Sequence, residues 1–348
     1  MSTTRKGGRK QLTVHRGDRH ARILGLGGYR PERVVTNEEI CQFIDSSDEW
    51  IQQRSGIITR RFAREDETVI DMAEAAATQA IERAGISKEQ IGAVIMATVS
   101  HPFQTPAAAP ILADRMGLAH PAAFDISAAC AGYCHGISLA NDMVRSGTVD
   151  HVLVIGVEKL SDFTDKYDRG SAFIFGDGAG AAVVGVSDTP GIGPTLWGSL
   201  GEQSDAITQR ESWTDLRPAM EEPGREDGIP WPAFTMQGQT VFRWAVFSMA
   251  PVAVAAVEAA GLTPDELDAF VPHQANMRIT DAMIKALKLP EHVPVARDIA
   301  ETGNTSAASI PLAMSRMLDE GEAPHGGYAL QIGFGAGLVY AAQVVQMP

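Results

Sequence analysis

Cysteine, positive charge and long apolar runs are what this chain has least of. Its three cysteines, Cys41, Cys130 and Cys134, cannot all pair, and Cys130 and Cys134 would stand one helical turn apart. That excludes a disulfide framework and predicts reduced thiols in a cytoplasmic protein. Lysine and arginine number 29 against 43 aspartates and glutamates, a formal net charge of -14. A general nucleic-acid surface, which needs clustered positive charge, is therefore excluded, and only local basic patches are left to meet an anionic partner. No apolar run approaches the ~18 residues of a bilayer-spanning helix and no secretory segment is visible, so no membrane association is expected.

What is there is a globular composition, 45% apolar, over 348 residues. That length exceeds what one hydrophobic core usually supports, so two cores or two halves of one large core are expected. Residues 1–20 are basic, poor in apolar side chains, and read as a disordered tail. A strand is expected over 21–25. The Gly25-Leu26-Gly27-Gly28 that follows is no dinucleotide loop, because the third glycine of G-x-G-x-x-G would fall on Arg30 and Pro31 blocks helix growth. Ser46 and Ser47 cap a short helix carrying Trp50, which by itself reads as core. An alanine-rich helix over 71–85 leads to a buried strand over 91–99.

Half a chain later the pattern returns. Residues 80–87 align without gaps on 256–263, and 91–95 on 267–271; farther on, the helix end 143–147 and strand 152–156 match 317–321 and 329–333. The economical explanation is a duplicated α/β unit, two sheets with helices between and outside them. The join, a Gly/Pro-rich charged stretch from Ser187 to Pro232, is expected to shape an entrance.

The chemistry centres on 125–136, where a short apolar strand gives way through small residues to a helical pattern beginning near Tyr133. Cys130 falls at the junction. It is either a small packed cysteine or a nucleophile whose pKa is drawn down by the helix dipole and unpaired N–H groups. The second repeat puts Val271-Pro272-His273-Gln274-Ala275-Asn276 at a strand end, where ligands collect in α/β folds. Thr302-Gly303-Asn304-Thr305-Ser306 sets a glycine-flanked asparagine before a helix, and Gly333-Phe334-Gly335-Ala336-Gly337 forms a glycine turn able to bring bare N–H groups to a ligand. The Phe175-Gly176-Asp177-Gly178 stretch lacks the lysine and hydroxyl of a phosphate loop and reads as a tight turn. Cys, then His, then Asn is also the order of papain-like hydrolases, but Ala131 follows Cys130 where those carry an aromatic residue.

In order, Asp48-Glu49-Trp50-Ile51 with Arg54-Ser55-Gly56-Ile57, Ala129-Cys130-Ala131-Gly132, Phe175-Gly176-Asp177-Gly178-Ala179-Gly180, Pro272-His273-Gln274-Ala275-Asn276, Gly303-Asn304-Thr305-Ser306 and Gly333-Phe334-Gly335-Ala336-Gly337 resemble one family. It is β-ketoacyl-acyl carrier protein synthase III, the initiating condensing enzyme of bacterial fatty-acid synthesis, in its actinobacterial branch. The resemblance implies a thiolase-like α/β fold: duplicated halves, 21–188 and 189–348, forming a five-layer αβαβα sandwich. It implies a ping-pong decarboxylative Claisen condensation. Cys130 would take an acyl group from an acyl-coenzyme A primer; malonyl-acyl carrier protein would then lose carbon dioxide and attack that thioester as its enolate. His273 and Asn304 would be neutral donors to the enolate oxygen, and the N–H groups of Cys130 and Ala336 a second oxyanion site. Trp50 would stack on the coenzyme A adenine, with Arg169 on its other face and Arg54, Asn276 and Arg278 nearby. Arg243, Arg278 and Lys285 would dock the acidic carrier protein, the last two on one helical face. The family is homodimeric, and Phe103 and Thr105 belong to a segment resembling the one that reaches the partner's acyl pocket. No cofactor and no metal are implied, coenzyme A thioester being a substrate. Intact His273 and Asn304 speak against a non-condensing acyltransferase and against a silent carrier-binding protein. A biosynthetic thiolase would need a second catalytic cysteine near the last glycine turn. A starter-unit synthase of a polyketide pathway stays as the alternative.

Overall fold

The computed structural model describes residues 19–216 and 231–348, so most of the expected tail lies outside the described residues. Residues 19 and 20, the last two expected in that tail, belong to the fold. Arg19 pairs with Asp150, and His20 already opens strand β1 (His20–Tyr29), which runs straight through the glycines expected to end it. A Cβ on Gly25 or Gly27 would lie 2.4 or 2.2 Å from the carbonyl oxygens of Ala80 or Ala76. These glycines let a helix backbone ride directly on the strand.

The first half continues with β2 (Arg33–Thr36), α1 (Asp48–Ser55), β3 (Thr59–Phe62), α2 (Val69–Ala84), β4 (Ala93–Ala97), α3 (Ala108–Arg115), β5 (Ala122–Ile126), α4 (Gly132–Arg145), β6 (His151–Glu158) and β7 (Gly178–Ser187). Helix α2 starts at a reciprocal cap between Thr68 and Asp71 and stops at Gly85, whose φ of 65° is left-handed. The second half holds β8 (Leu196–Gly198), β9 (Ile207–Gln209), β10 (Phe234–Met236), α5 (Gly238–Trp244), α6 (Ala250–Ala259), β11 (Ala269–Pro272), α7 (Met277–Leu287), α8 (Ser309–Asp319), β12 (Tyr328–Gly335) and β13 (Val339–Gln346).

Two main sheets form, ordered β1-β7-β6-β4-β5 and β11-β12-β13-β8. Between them lie α4 and α8, whose Tyr133, Ile137, Val144, Ile310, Met314 and Met317 meet apolar side chains of both sheets in one core. Helices α2 and α3 cover the outer face of the first sheet through alanines that permit close approach. The outer face of the second is covered by α6 and α7. The layers therefore run αβαβα, as the resemblance implied. The repeat is visible as well: α2, a 3-10 turn and β4 are echoed by α6, a 3-10 turn and β11.

Helices α5 and α6 join through a π turn into one helical run, Gly238–Ala259, which by length and composition could cross a membrane. This corrects the expectation that no such stretch exists. Trp244, Met249, Ala253 and Val257 along it pack into the core of the second half.

Candidate active site

Two tight turns meet between the sheets. The first, Ala129–Ala131, separates β5 from α4 and carries Cys130, with Ala129 at φ 45°. It nests on the end of β12, where a Cβ on Gly333 would lie 2.8 Å from the Cα of Ala131, and one on Gly335 would lie 2.8 Å from the Cys130 nitrogen. Only glycine admits the cysteine turn at both places. The second turn, Ser306–Ala308, precedes α8, with Ser306 at φ 48°. It nests on Gly156 of β6, where a Cβ would lie 2.2 Å from the Ala307 carbonyl oxygen.

His273 follows β11. Gln274 fixes that corner, its amide donating to the carbonyls of Pro272 (2.7 Å) and Ala296 (3.2 Å) and its oxygen accepting from Ile299 (3.1 Å). The Ser309 hydroxyl lies 2.8 Å from His273 Nδ1 and accepts from the Gln274 N–H at 3.3 Å. Donation from Ser309 to Nδ1 puts the ring proton on Nε2. Burial pushes the imidazole down to about 3, so it is neutral, and Phe334 packs edge-on against it at 5.3 Å.

Asn304 is held through the Phe175–Gly176 turn: its N–H donates to Ile174 and its carbonyl accepts from Gly176. Its Oδ1 accepts from the Ser306 N–H at 2.8 Å. That orients the amide and leaves the Nδ2 hydrogens as donors.

Cys130, His273, Asn304 and Ala336 all line one cavity of about 680 Å³. The expected thiolate is not what the surroundings favour. Although Cys130 is only half-buried by solvent access, burial pushes its thiol up to about 12; the nearby Ser306 hydroxyl opposes that rise, and the charge of Glu158 adds to it. A dry site outweighs the helix terminus. Cys134 is fully buried and packs in the central core.

Trp50, Arg54, Asn276, Arg278 and Arg243 line the same cavity. Trp50 is half-buried, edge-on to Phe173 at 5.5 Å, with the guanidinium carbons of Arg54 and Arg169 at 5.6 and 5.1 Å from its ring. Arg169 is anchored to the Asp45 carbonyl (2.6 Å) and does not itself line the cavity. Asn276 caps α7 and donates to the Arg54 carbonyl at 3.0 Å, tying α1 to α7. Lys285 is exposed farther along α7, outside the cavity. Phe103 and Thr105 do not line it either; Phe103 is 64% exposed, so neither shapes an acyl pocket within one chain.

The join contributes β8 and β9, with β10 just beyond it, and Ile207, Thr208, Phe234 and Met236 form one wall of the cavity. Residues 217–230 of it lie outside the described residues. Sequence reasoning missed Ser306, Ser309, Gln274 and Glu158. Ser306 and Gln274 lay inside the family motifs without a role of their own, Ser309 lay three residues beyond one, and Glu158 gave no signal at the end of an apolar strand. Among the described residues no three His, Cys, Asp or Glu side chains are placed to hold a metal ion.

Two family models match, 3-oxoacyl-[acyl-carrier-protein] synthase III over residues 124–201 and its C-terminal counterpart over 257–347. The β-ketoacyl-[acyl-carrier-protein] synthase III 1 of Streptomyces coelicolor is 59% identical over 341 residues, 97% of this chain and 99% of that protein. The chain belongs to the β-ketoacyl-acyl carrier protein synthase III family. The mycobacterial synthase III of Mycobacterium avium is 50% identical to this synthase over 97% of the chain and 99% of its own length. Among solved structures, the priming β-ketosynthase of the R1128 polyketide pathway superposes with a TM-score of 0.91 at 47% identity, covering 97% and 98% of the two chains. The synthase III of Aquifex aeolicus does so at 0.84 and 35%, covering 94% and 99%.

Proposed function

We propose that this synthase condenses an acyl-coenzyme A primer with malonyl-acyl carrier protein, releasing carbon dioxide and giving the 3-oxoacyl-acyl carrier protein that starts fatty-acid synthesis. The observation that carries this is the meeting of a thiol, a neutral imidazole and a free amide donor in one cavity. Cys130 carries the acyl group between two half-reactions. As malonyl loses carbon dioxide, negative charge gathers on its thioester oxygen; His273 and Asn304 offer hydrogens there, and as neutral donors they stabilise the enolate without supplying a competing base. The N–H groups of Cys130 and Ala336 serve the tetrahedral intermediates. In the test, intact-protein mass spectrometry with acetyl-coenzyme A should record an acyl adduct that Cys130→Ser lacks and His273→Ala keeps, while His273→Ala releases no carbon dioxide. Normal condensation by His273→Ala would overturn the roles.

Coenzyme A enters past Trp50, with Arg54, Arg169, Asn276 and Arg278 around its adenine and phosphates. Arg243, Arg278 and Lys285, exposed on α5 and α7, receive the acidic carrier protein. The synthase works as a homodimer: β5 is the edge of its sheet, with Ala122 and Phe124 exposed, and such edges invite pairing. Phe103 and Thr105 then complete the partner's acyl pocket, and Phe124→Asp should give a monomer on sedimentation. The halves are 21–188 and 189–348, in keeping with strands β1 to β7 in the first and β8 to β13 in the second. Three unpaired cysteines favour the cytoplasm, away from membranes. The likeness to a polyketide priming synthase supports a second reading, starter-unit synthesis on the same chemistry, which the acyl groups accepted from a mixed coenzyme A pool distinguish.

A further inference from the structure

The two turns at the centre are equivalent under the internal repeat, but the strand ends beneath them are not. Gly333 of β12 corresponds to Gly156 of β6, and two residues on, Gly335 corresponds to Glu158. Gly335 clears space for Cys130; its counterpart puts a fully buried carboxylate into the same centre. The proposed condensation gives Glu158 no task, yet it is elaborately held. Its Oε2 accepts from the Ser100 hydroxyl (2.6 Å), the Val99 N–H (3.1 Å) and the Thr98 hydroxyl (3.3 Å). Its Oε1 accepts from the Ser306 hydroxyl at 3.1 Å. Ser306 in turn lies beside the Cys130 thiol and lines the cavity. While its one hydrogen points at Glu158, a lone pair is left for the thiol; turned the other way, that hydrogen meets the thiolate and opposes the rise of its pKa. Among the described residues no cation pairs with this carboxylate: neighbouring Lys159 directs its ammonium to the carbonyls of Arg64 and Glu65 and to Asp162.

We propose that Glu158 takes the Cys130 proton during acylation, relayed through the Ser306 hydroxyl. As sulfur attacks the acyl-coenzyme A carbonyl, the S–H proton passes to Ser306 Oγ and the Ser306 proton to Glu158 Oε1. The tetrahedral adduct collapses by breaking the bond to coenzyme A, which leaves as a thiolate and is protonated by solvent. Glu158 keeps its proton until condensation expels the Cys130 thiolate, then returns it by the same path. His273, neutral and engaged with Ser309, stays free for the malonyl oxygen. The relay supplies what a dry site lacks, a base for a thiol that burial keeps protonated. Burial lifts Glu158 itself to about 7 against the pull of its four donors, poised to exchange a proton near neutrality.

This inference rests on Cys130 as the acyl carrier. The test measures acyl-enzyme formation by rapid quench and mass spectrometry, with acetyl-coenzyme A, from pH 5.5 to 9. The wild type should rise to a plateau above about pH 7. Glu158→Gln, nearly isosteric, should be about 100-fold slower at pH 7 and climb steadily to pH 9 with no plateau. Ser306→Ala should behave alike, and the double variant no worse than either. A wild-type rate and plateau in Glu158→Gln or in Ser306→Ala would overturn the relay; if one variant does not fold, the other decides. Iodoacetamide alkylation of Cys130, which needs the same proton loss but no acyl donor, separates the two readings. Slowed alkylation in the variants with no acyl adduct in the wild type would keep the relay and defeat the condensation, whereas alkylation unchanged in both variants would defeat the relay.

Discussion

Gly335→Ala is the sharpest probe of how the cysteine turn is held. Gly335 has φ -172°, extended backbone that alanine adopts freely, so the whole effect is steric. The new methyl would sit 2.8 Å from the Cys130 nitrogen and 3.0 Å from its Cβ and Sγ, where ordinary contact begins at 3.4 Å. The turn and the strand must part by about half an ångström, an overpacking cost of about 1–3 kcal/mol. That movement shifts both the thiol and the N–H proposed to meet the tetrahedral intermediate, so acylation should fall about 100-fold. Gly337→Ala is the control. There φ is 74°, and an alanine pays about 1–2 kcal/mol for the left-handed conformation, but its methyl would come no closer than 3.7 Å to the Val339 side chain. Urea unfolding should rank the two as comparably destabilised, and rapid-quench mass spectrometry should find only Gly335→Ala slow to acylate. Wild-type acylation by Gly335→Ala, or an equal loss in Gly337→Ala, would refute the argument.

Asn304→Ala strands the buried Ser306 N–H, costing about 1–3 kcal/mol in urea unfolding, and should slow carbon dioxide release from malonyl-carrier protein about 100- to 1000-fold. Normal decarboxylation by Asn304→Ala would count against Asn304 as a donor. His273 refuses a proton in the fold down to about 3, while the unfolded histidine takes one near 6.5. Stability is therefore full above about pH 6.5 and is lost as pH falls toward 3, and His273→Gln should flatten that slope in thermal melts. Lys285→Glu should raise KM for malonyl-carrier protein severalfold at low salt and less at ~0.5 M, leaving acylation unchanged; a slowed acylation would disqualify it as a docking residue.

What could be read from the chain followed the range of each signal. The strand, turn and helix around Cys130 are local, and small residues announce the turn. The duplicated halves were visible because the repeat copies whole helix-to-strand junctions. The protonation of Cys130 was not legible, since the groups that set it come from β6, β12 and the 306 turn, each remote in sequence. Glu158 was hidden for the same reason: it looks like the polar end of a buried strand until Ser306 arrives beside it. The glycines of β1 mimic a loop because their purpose, admitting the backbone of α2, belongs to another element. Arg243 interrupts the apolar pattern of Gly238–Ala259, and only the continuous helix reveals its length. Trp50 would have stayed a core residue without the family motif, because half-burial beside Phe173 is also what packing produces.

The central geometry also says why neither half can make this site alone. The cysteine turn belongs to the first half but closes against Gly333 and Gly335 of the second; the Ser306 turn belongs to the second and closes against Gly156 and Glu158 of the first. Each half thus supplies the floor for the other's turn, with α4 and α8 packed side by side between the sheets. A shift of one sheet against the other would loosen both turns together, separating thiol from backbone donors and hydroxyl from carboxylate at once. Duplication brought two equal turns to one place; their divergence, a thiol over glycine in one and a hydroxyl over a carboxylate in the other, is what makes the centre asymmetric enough to direct a proton.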